Sequence, residues 1–224
     1  MGKILIVGGT KGIGGEIAQL LENKECVLFS REAHRVSSNY HVHYQLDVAD
    51  GNFPDIEDIS SIVYCPGTIN LKPFRSLKVE DFQNDFDVNF LGAVKVIQYY
   101  QRALSKAENA SIILFSTVAV NQGMNFHASI ASAKGAVEGL TKSLAAEFAG
   151  KIRVNCIAPS LTDTPLAQGI LRNEDAIKRS NERHPSKRIN TASDVAKTAE
   201  FLLQYNNITG QIIHVDGGMS TLKV

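Results

Sequence analysis

The stretch from Val7 to Leu21, VGGTKGIGGEIAQLL, sets Gly8, Gly12 and Gly14 directly after an apolar run and at the opening of a helical one. A pyrophosphate needs that order: a tight turn, close approach of backbone N–H groups, and a helix N-terminus whose dipole attracts the anion. Thr10, Lys11 and Ile13 fill the turn. Glycines also mark ordinary turns, but a strand before and a helix after make a dinucleotide site the stronger reading. The next apolar run closes on Phe29-Ser30-Arg31-Glu32. An acidic residue ending that strand would hold the ribose 2′-hydroxyl of NAD, whereas Ser30, Arg31 and nearby Lys11 suit a 2′-phosphate. NADP(H) is therefore favoured over NAD(H), with Glu32 tempering the preference.

Other reactive residue types carry weaker signals. Cys26, Cys65 and Cys156 each fall in an apolar run, which predicts buried free thiols rather than a disulfide framework. His41 and His43 would share one face of a strand, yet no third ligand stands near, so an exposed strand face is expected and no metal site.

The elements that must position these residues follow from seven β-rich runs: KILIVGG, ECVLFS, HVHYQLD, SSIVYCPG, ASIILFST, KIRVNCIAPS and GQIIHVDGG. Helical periodicity separates the later ones, notably over Val79–Ala107 and Ser129–Phe148. Buried strands joined by helices predict an α/β fold: one Rossmann-like, doubly wound, mainly parallel seven-stranded sheet with helices on both faces. With no repeat or linker, residues 1–224 read as a single domain. The segments after the second and third strands are too short for full helices. Pro165–Thr191, polar and interrupted by Pro185, reads as a substrate flap.

Composition sets outer bounds. The chain has 224 residues, 44% of them hydrophobic, and its 23 basic and 23 acidic side chains balance. That excludes a global field for nucleic acid or an anionic membrane surface. No run is long and apolar enough to span a bilayer, and the N-terminal segment reads as a strand rather than a leader. A soluble cytoplasmic protein acting on a small molecule is expected.

In order along nearly the whole chain, these motifs resemble the short-chain dehydrogenase/reductase family. The glycine turn has that family's spacing, with Val7 in place of its leading threonine. LDVAD resembles the motif whose Asp47 and Val48 positions bracket the adenine, and VNFLGAVKV the helix carrying a catalytic asparagine, here Asn89. IRVNCIAPS with Leu161, Thr162 and Thr164 resembles the segment that embraces the nicotinamide through Pro159 and Ser160; the family's usual glycine is Ser160 here. The N-N-A-G after the fourth strand survives only as YCPG, keeping Gly67. The resemblance further implies that Val79–Ala107 and Ser129–Phe148 pair between subunits in a homodimer or homotetramer.

The resemblance breaks at its acid. A tyrosine four residues before Lys134 would protonate the substrate; Ile130 stands there. Thirteen residues earlier, Thr117 supplies the hydroxyl expected of a serine, so Asn89, Thr117 and Lys134 fill three of four roles. A positioned acid is worth ~10²- to 10⁴-fold in rate. Either His127, ahead of Ser129 and Tyr64, relocates it, or the substrate (an enone or imine) needs less of it, or the chain binds NADP(H) without turnover as a regulatory or structural protein. The leading expectation is an atypical NADP(H)-dependent oxidoreductase acting on a small carbonyl, enone or imine.

Overall fold

In the computed structural model, which describes residues 2–32 and 38–223, all seven runs become strands of one parallel sheet. They are β1 (Lys3–Val7), β2 (Cys26–Ser30), β3 (His41–Gln45), β4 (Ile59–Tyr64), β5 (Ala110–Phe115), β6 (Ile152–Pro159) and β9 (Ile212–Val215), in the order β3-β2-β1-β4-β5-β6-β9. A two-stranded sheet of β7 (Thr162–Asp163) and β8 (Asn190–Thr191) stands apart.

Alternation along each strand feeds two cores. Leu5, Val7, Ile62, Ile112 and Val154 pack with Val96, Ile97, Tyr100 and Val137 on one face. Ile6, Leu28, Val63, Ile113 and Ile157 pack with Ile17, Val195, Ala199 and Leu202 on the other. The first core is covered by α3 (Gly92–Leu104) and α5 (Ala128–Glu147), the second by α1 (Gly12–Leu20) and α7 (Ala192–Gln204). The chain runs outward from β1 to β3 and then resumes at β4 on β1's other side. Strand order reverses there, which opens a crevice at the carboxyl ends of the strands.

Two expectations need correction. The helix expected over Val79–Ala107 is split: α2 (Val79–Phe86) passes through a π-helical turn, Asp87–Leu91, into α3, which ends at Leu104. Wider i→i+5 turns of this kind gather at functional sites, and this one holds Asn89. The His41–His43 stretch is not an exposed face: His41 is buried with Nε2 3.2 Å from the Leu21 carbonyl, and half-buried His43 lies 2.8 Å from Ser30 Oγ. The segment Pro165–Thr191 carries regular structure of its own. It contains a 3-10 turn, Pro165–Ala167, and α6 (Glu174–Arg183), and the β7–β8 pair ties its ends together.

After β3 the connection has only a 3-10 turn, Val48–Asp50, as its shortness predicts; residues 33–37 of the preceding connection lie outside the described residues. Cys26 and Cys156 are buried and Cys65 half-buried, all three as free thiols that burial pushes up to about 12. Among the described residues no helix is long and apolar enough to cross a membrane, and no cluster of His, Cys, Asp or Glu could hold a metal ion.

Candidate functional site

The glycine turn lies at the carboxyl end of β1. Gly8 has φ +74° and Gly12 φ +55°, left-handed values that favour glycine. A Cβ on Gly14 would stand 2.3 Å from the Gly8 carbonyl oxygen, so no larger residue fits. Lys11 caps α1 without a side-chain hydrogen bond, which leaves the first-turn N–H groups to an acceptor from outside the helix. Thr10 and Lys11 complete the turn, and Gly12 faces Thr164, whose Cβ would lie 3.5 Å from a methyl added there.

Beside the turn, Lys11 forms an ion pair with Glu32, and both side chains are largely exposed. Ser30 Oγ donates to the Glu32 carbonyl at 2.7 Å, and Arg31 is exposed. Lys11, Ser30 and Arg31 thus share one corner, with Glu32 already holding one of the two cations. Further along the same edge, Asp47 Oδ1 accepts from Ala49 N at 2.9 Å and caps the turn that begins at Val48.

Lys134 lies on α5 and is 8% exposed, with Nζ donating to the Phe115 carbonyl at 2.9 Å. Burial pushes its ammonium down to about 8, against the opposing pull of Cys156, Cys65 and Asp85. Asn89 is 1% exposed; its Nδ2 donates to Thr68 Oγ1 at 2.8 Å and to the Asp85 carbonyl at 2.7 Å. Its Oδ1, buried, has no partner. A methyl on Gly67 would lie 3.4 Å from that Oδ1 and 3.7 Å from Lys134 Nζ, so acceptor and ammonium face the same glycine. Buried acceptors are rarely left unpaired, and a hydroxyl or water between these two groups would satisfy both.

Thr117 caps the short helix α4 (Val118–Gln122), its Oγ1 accepting from Ala119 N at 3.3 Å. Its own proton remains for another acceptor. Ser116, the register alternative, has committed its hydroxyl to Glu138 Oε1 at 2.6 Å. Ile130 is buried. His127 caps the start of α5 and donates Nδ1–H to the Asn125 carbonyl at 2.7 Å, the local bond expected of a helix-entry residue. Seven residues, two helical turns, separate it from Lys134, so both lie on one helix face. The two lesser acid candidates fall away. Tyr64 is buried, donates its hydroxyl to the Val88 carbonyl at 2.7 Å and is pushed up by burial, while Ser129 is fully buried and outside the cavity.

One cavity of about 270 Å³ gathers Ile13, Gly67, Thr117, His127, Ile130 and Lys134 with Pro159, Ser160, Leu161, Thr162 and Thr164. Gly8, Thr10, Lys11, Gly12, Gly14, Ser30, Arg31, Asp47 and Val48 do not line it. They run along the strand ends away from it, as a ligand with an adenosine arm would require. Sequence reasoning missed three contributors. Asp85, wholly buried, accepts from Thr68 Oγ1 at 2.6 Å through Oδ1 and leaves Oδ2 unpaired. Its position four residues before Asn89 on a helix was the available signal. Thr68 had none. His184, just past the end of α6, lines the cavity beside Arg183, a cation of the 165–191 segment that the sequence does offer as a contact for an anion.

Comparison with known proteins places this arrangement in context. Residues 8–220 match the family model described as enoyl-(acyl carrier protein) reductase. A tropinone reductase homolog of Arabidopsis thaliana is 29% identical over 96% of this chain and 92% of its own length. A 3-oxoacyl-[acyl-carrier-protein] reductase of Bos taurus is 28% identical over 96% of each. Among solved structures, ligand-free aldohexose dehydrogenase of Thermoplasma acidophilum superposes with TM-score 0.90 at 24% identity, covering 99% of this chain and 95% of that one. ElxO with NADP bound superposes with TM-score 0.88 at 28% identity, covering 99% and 100%.

Proposed function

This chain belongs to the short-chain dehydrogenase/reductase family, and we propose that it is an atypical oxidoreductase exchanging hydride between NADP(H) and a small carbonyl, enone or imine. One observation carries the reading: Thr117, Ile130 and Lys134 line one cavity, with an apolar Ile130 in the acid's place, and Asn89, outside that lining, stands behind Gly67. The unpaired Asn89 Oδ1, the uncapped α1 N-terminus and the glycine cradle fit a dinucleotide. Gly8, Gly12, Gly14 and Ile13 would hold the pyrophosphate, Asp47 and Val48 would flank the adenine, and Pro159 to Thr164 would embrace the nicotinamide.

The nicotinamide, when bound, supplies the hydride. Lys134 would donate to ribose hydroxyls of the bound cofactor, and Thr117 would donate its free O–H to the substrate heteroatom. Ile130 can neither ionise nor hydrogen-bond. His127 has Nδ1–H tied to the Asn125 carbonyl, so Nε2 is the atom that exchanges a proton with the cavity: it donates from the imidazolium and is left as an acceptor in the neutral ring. Enone and imine substrates ask least of such a donor, because hydride positioning does most of the work.

The preference for NADP(H) is supported by Lys11, Ser30 and Arg31 in one corner, with NADP in ElxO a parallel at 28% identity. Titrating the protein with NADPH and NADH tests it; equal or absent affinity ends that part of the proposal. Turnover of carbonyl, enone and imine panels, with His127→Ala beside wild type, tests the rest. A wild type that turns over and an unimpaired variant remove His127 as donor. A second reading, a silent NADP(H)-binding protein with a regulatory or structural role, is favoured by the buried apolar Ile130. It prevails if NADPH binds and no panel member consumes it. We also assign the outer faces of α3 and α5 to pairing between subunits in a homodimer or homotetramer.

A further inference from the structure

The walls of the cavity beyond the reacting groups are apolar: Ile69, Leu71, Met124, Leu166, Ile170 and Met219. Its charge is one-sided. No Asp or Glu lines it among the described residues, and apart from Lys134 the one permanent charge is Arg183. Arg183 is exposed while lining the cavity, which puts it at the solvent edge. Among the described residues it forms no ion pair.

The backbone beside Arg183 is held. His184 is 2% exposed and fixed at both ring nitrogens: Nδ1 lies 2.7 Å from the Ser180 carbonyl and Nε2 2.9 Å from Ser160 Oγ. The carbonyl can only accept, so Nδ1 carries the proton and Ser160 donates to Nε2 in the neutral ring. Asn190 Nδ2 donates to the same Ser160 oxygen at 3.2 Å, and Ser186 N donates to the Gly217 carbonyl at 3.1 Å. The end of α6 is thus pinned to the carboxyl ends of β6 and β9, which fixes the backbone that carries Arg183 at the cavity's edge. Arg is the side chain best suited to a planar carboxylate, because its donors form a rigid fork.

We propose that the substrate is an apolar compound carrying a carboxylate remote from its reducible bond, with Arg183 as the residue that selects for it. The inference rests on the oxidoreductase reading above and adds the substrate class. Neutral esters of the same acid lose the charge-assisted bond, and amines meet a field with no counter-charge.

The test uses 4-(3-oxobut-1-enyl)benzoate, which joins an enone to a carboxylate across a ring, with its methyl ester as partner. Calorimetric binding of each to the NADPH-loaded wild type and Arg183→Gln proteins is measured beside NADPH oxidation. The acid binding wild type at least ten-fold more tightly than the ester, with that advantage lost in Arg183→Gln and NADPH affinity unchanged, supports the proposal. Equal binding of acid and ester, binding of neither, or a variant that weakens NADPH itself overturns it; the last would make Arg183 a cofactor ligand. Failure of the underlying reading looks different: the acid binds selectively and NADPH is not consumed.

Discussion

Lys134→Met should make the cofactor-free protein more stable while abolishing its affinity for NADPH. The ammonium is pushed from its ordinary 10.5 down to about 8 by burial. At ~1.36 kcal/mol per tenfold change in acidity, holding it charged costs the fold roughly 3 kcal/mol at pH 7. Methionine removes that cost and also removes the donor to the Phe115 carbonyl, which returns about 1 kcal/mol. The net gain is about 2 kcal/mol, or about 4–8 °C in Tm for a chain of this size. The sign with pH follows from proton counts. Between about pH 8 and 10 the unfolded chain keeps a proton on residue 134 that the folded chain has released, so wild-type stability rises with pH across that window. Urea unfolding of both proteins from pH 7 to 10 checks this: the methionine variant leads at pH 7 and the gap narrows upward. A variant less stable than wild type at pH 7, or a gap constant with pH, would refute the reasoning.

Ile130→Tyr restores a phenol one turn before Lys134 and should raise carbonyl reduction by ~10²- to 10⁴-fold, read as kcat/KM on an aldehyde; no gain would mean that the remaining groups are not aligned for transfer. Asp85→Asn keeps an acceptor for Thr68 but removes a negative charge that supports Lys134, so the pH-dependent rise in stability should begin below pH 8, visible in the same unfolding series. Gly67→Ala puts a methyl at ordinary contact distance from Asn89 Oδ1 and Lys134 Nζ. Tm should change little while the Kd for NADPH rises at least ten-fold, because the methyl fills the polar space between them.

The sheet was legible because its central strands are rich in apolar residues, and continuous runs such as Ile112-Ile113-Leu114 mark buried parallel strands. Lys134 and Thr117 stood out through the resemblance to the family's motifs, at whose spacing they fall. The π turn at Asp87–Leu91 was not, since one extra residue in a helix leaves no compositional mark; only the carbonyl reached by each N–H reveals it. Asp85 was missed because periodicity cannot tell a wetted carboxylate from one folded inward over Asn89. The anchoring of His184 was out of reach for a different reason. Its partner Ser160 lies 24 residues back, and Asn190, which joins them, is 30 residues beyond Ser160. Pairings at such separations are set by the assembled sheet, whereas turn glycines and helix registers are set locally.

The two-residue pairing of Thr162–Asp163 with Asn190–Thr191 has a consequence for how this chain could change. It brings the two ends of the intervening segment together at the rim of the sheet, so the excursion between them behaves as a closed loop with a fixed base. The entropy of closing such a loop grows only slowly with its length. Segments of other lengths and sequences could therefore be spliced between the same two clamped ends with the central sheet undisturbed. Arg183 travels with such a splice, whereas Lys134 and Thr117 do not, which makes the selectivity of the cavity a portable part and its hydride chemistry a resident one.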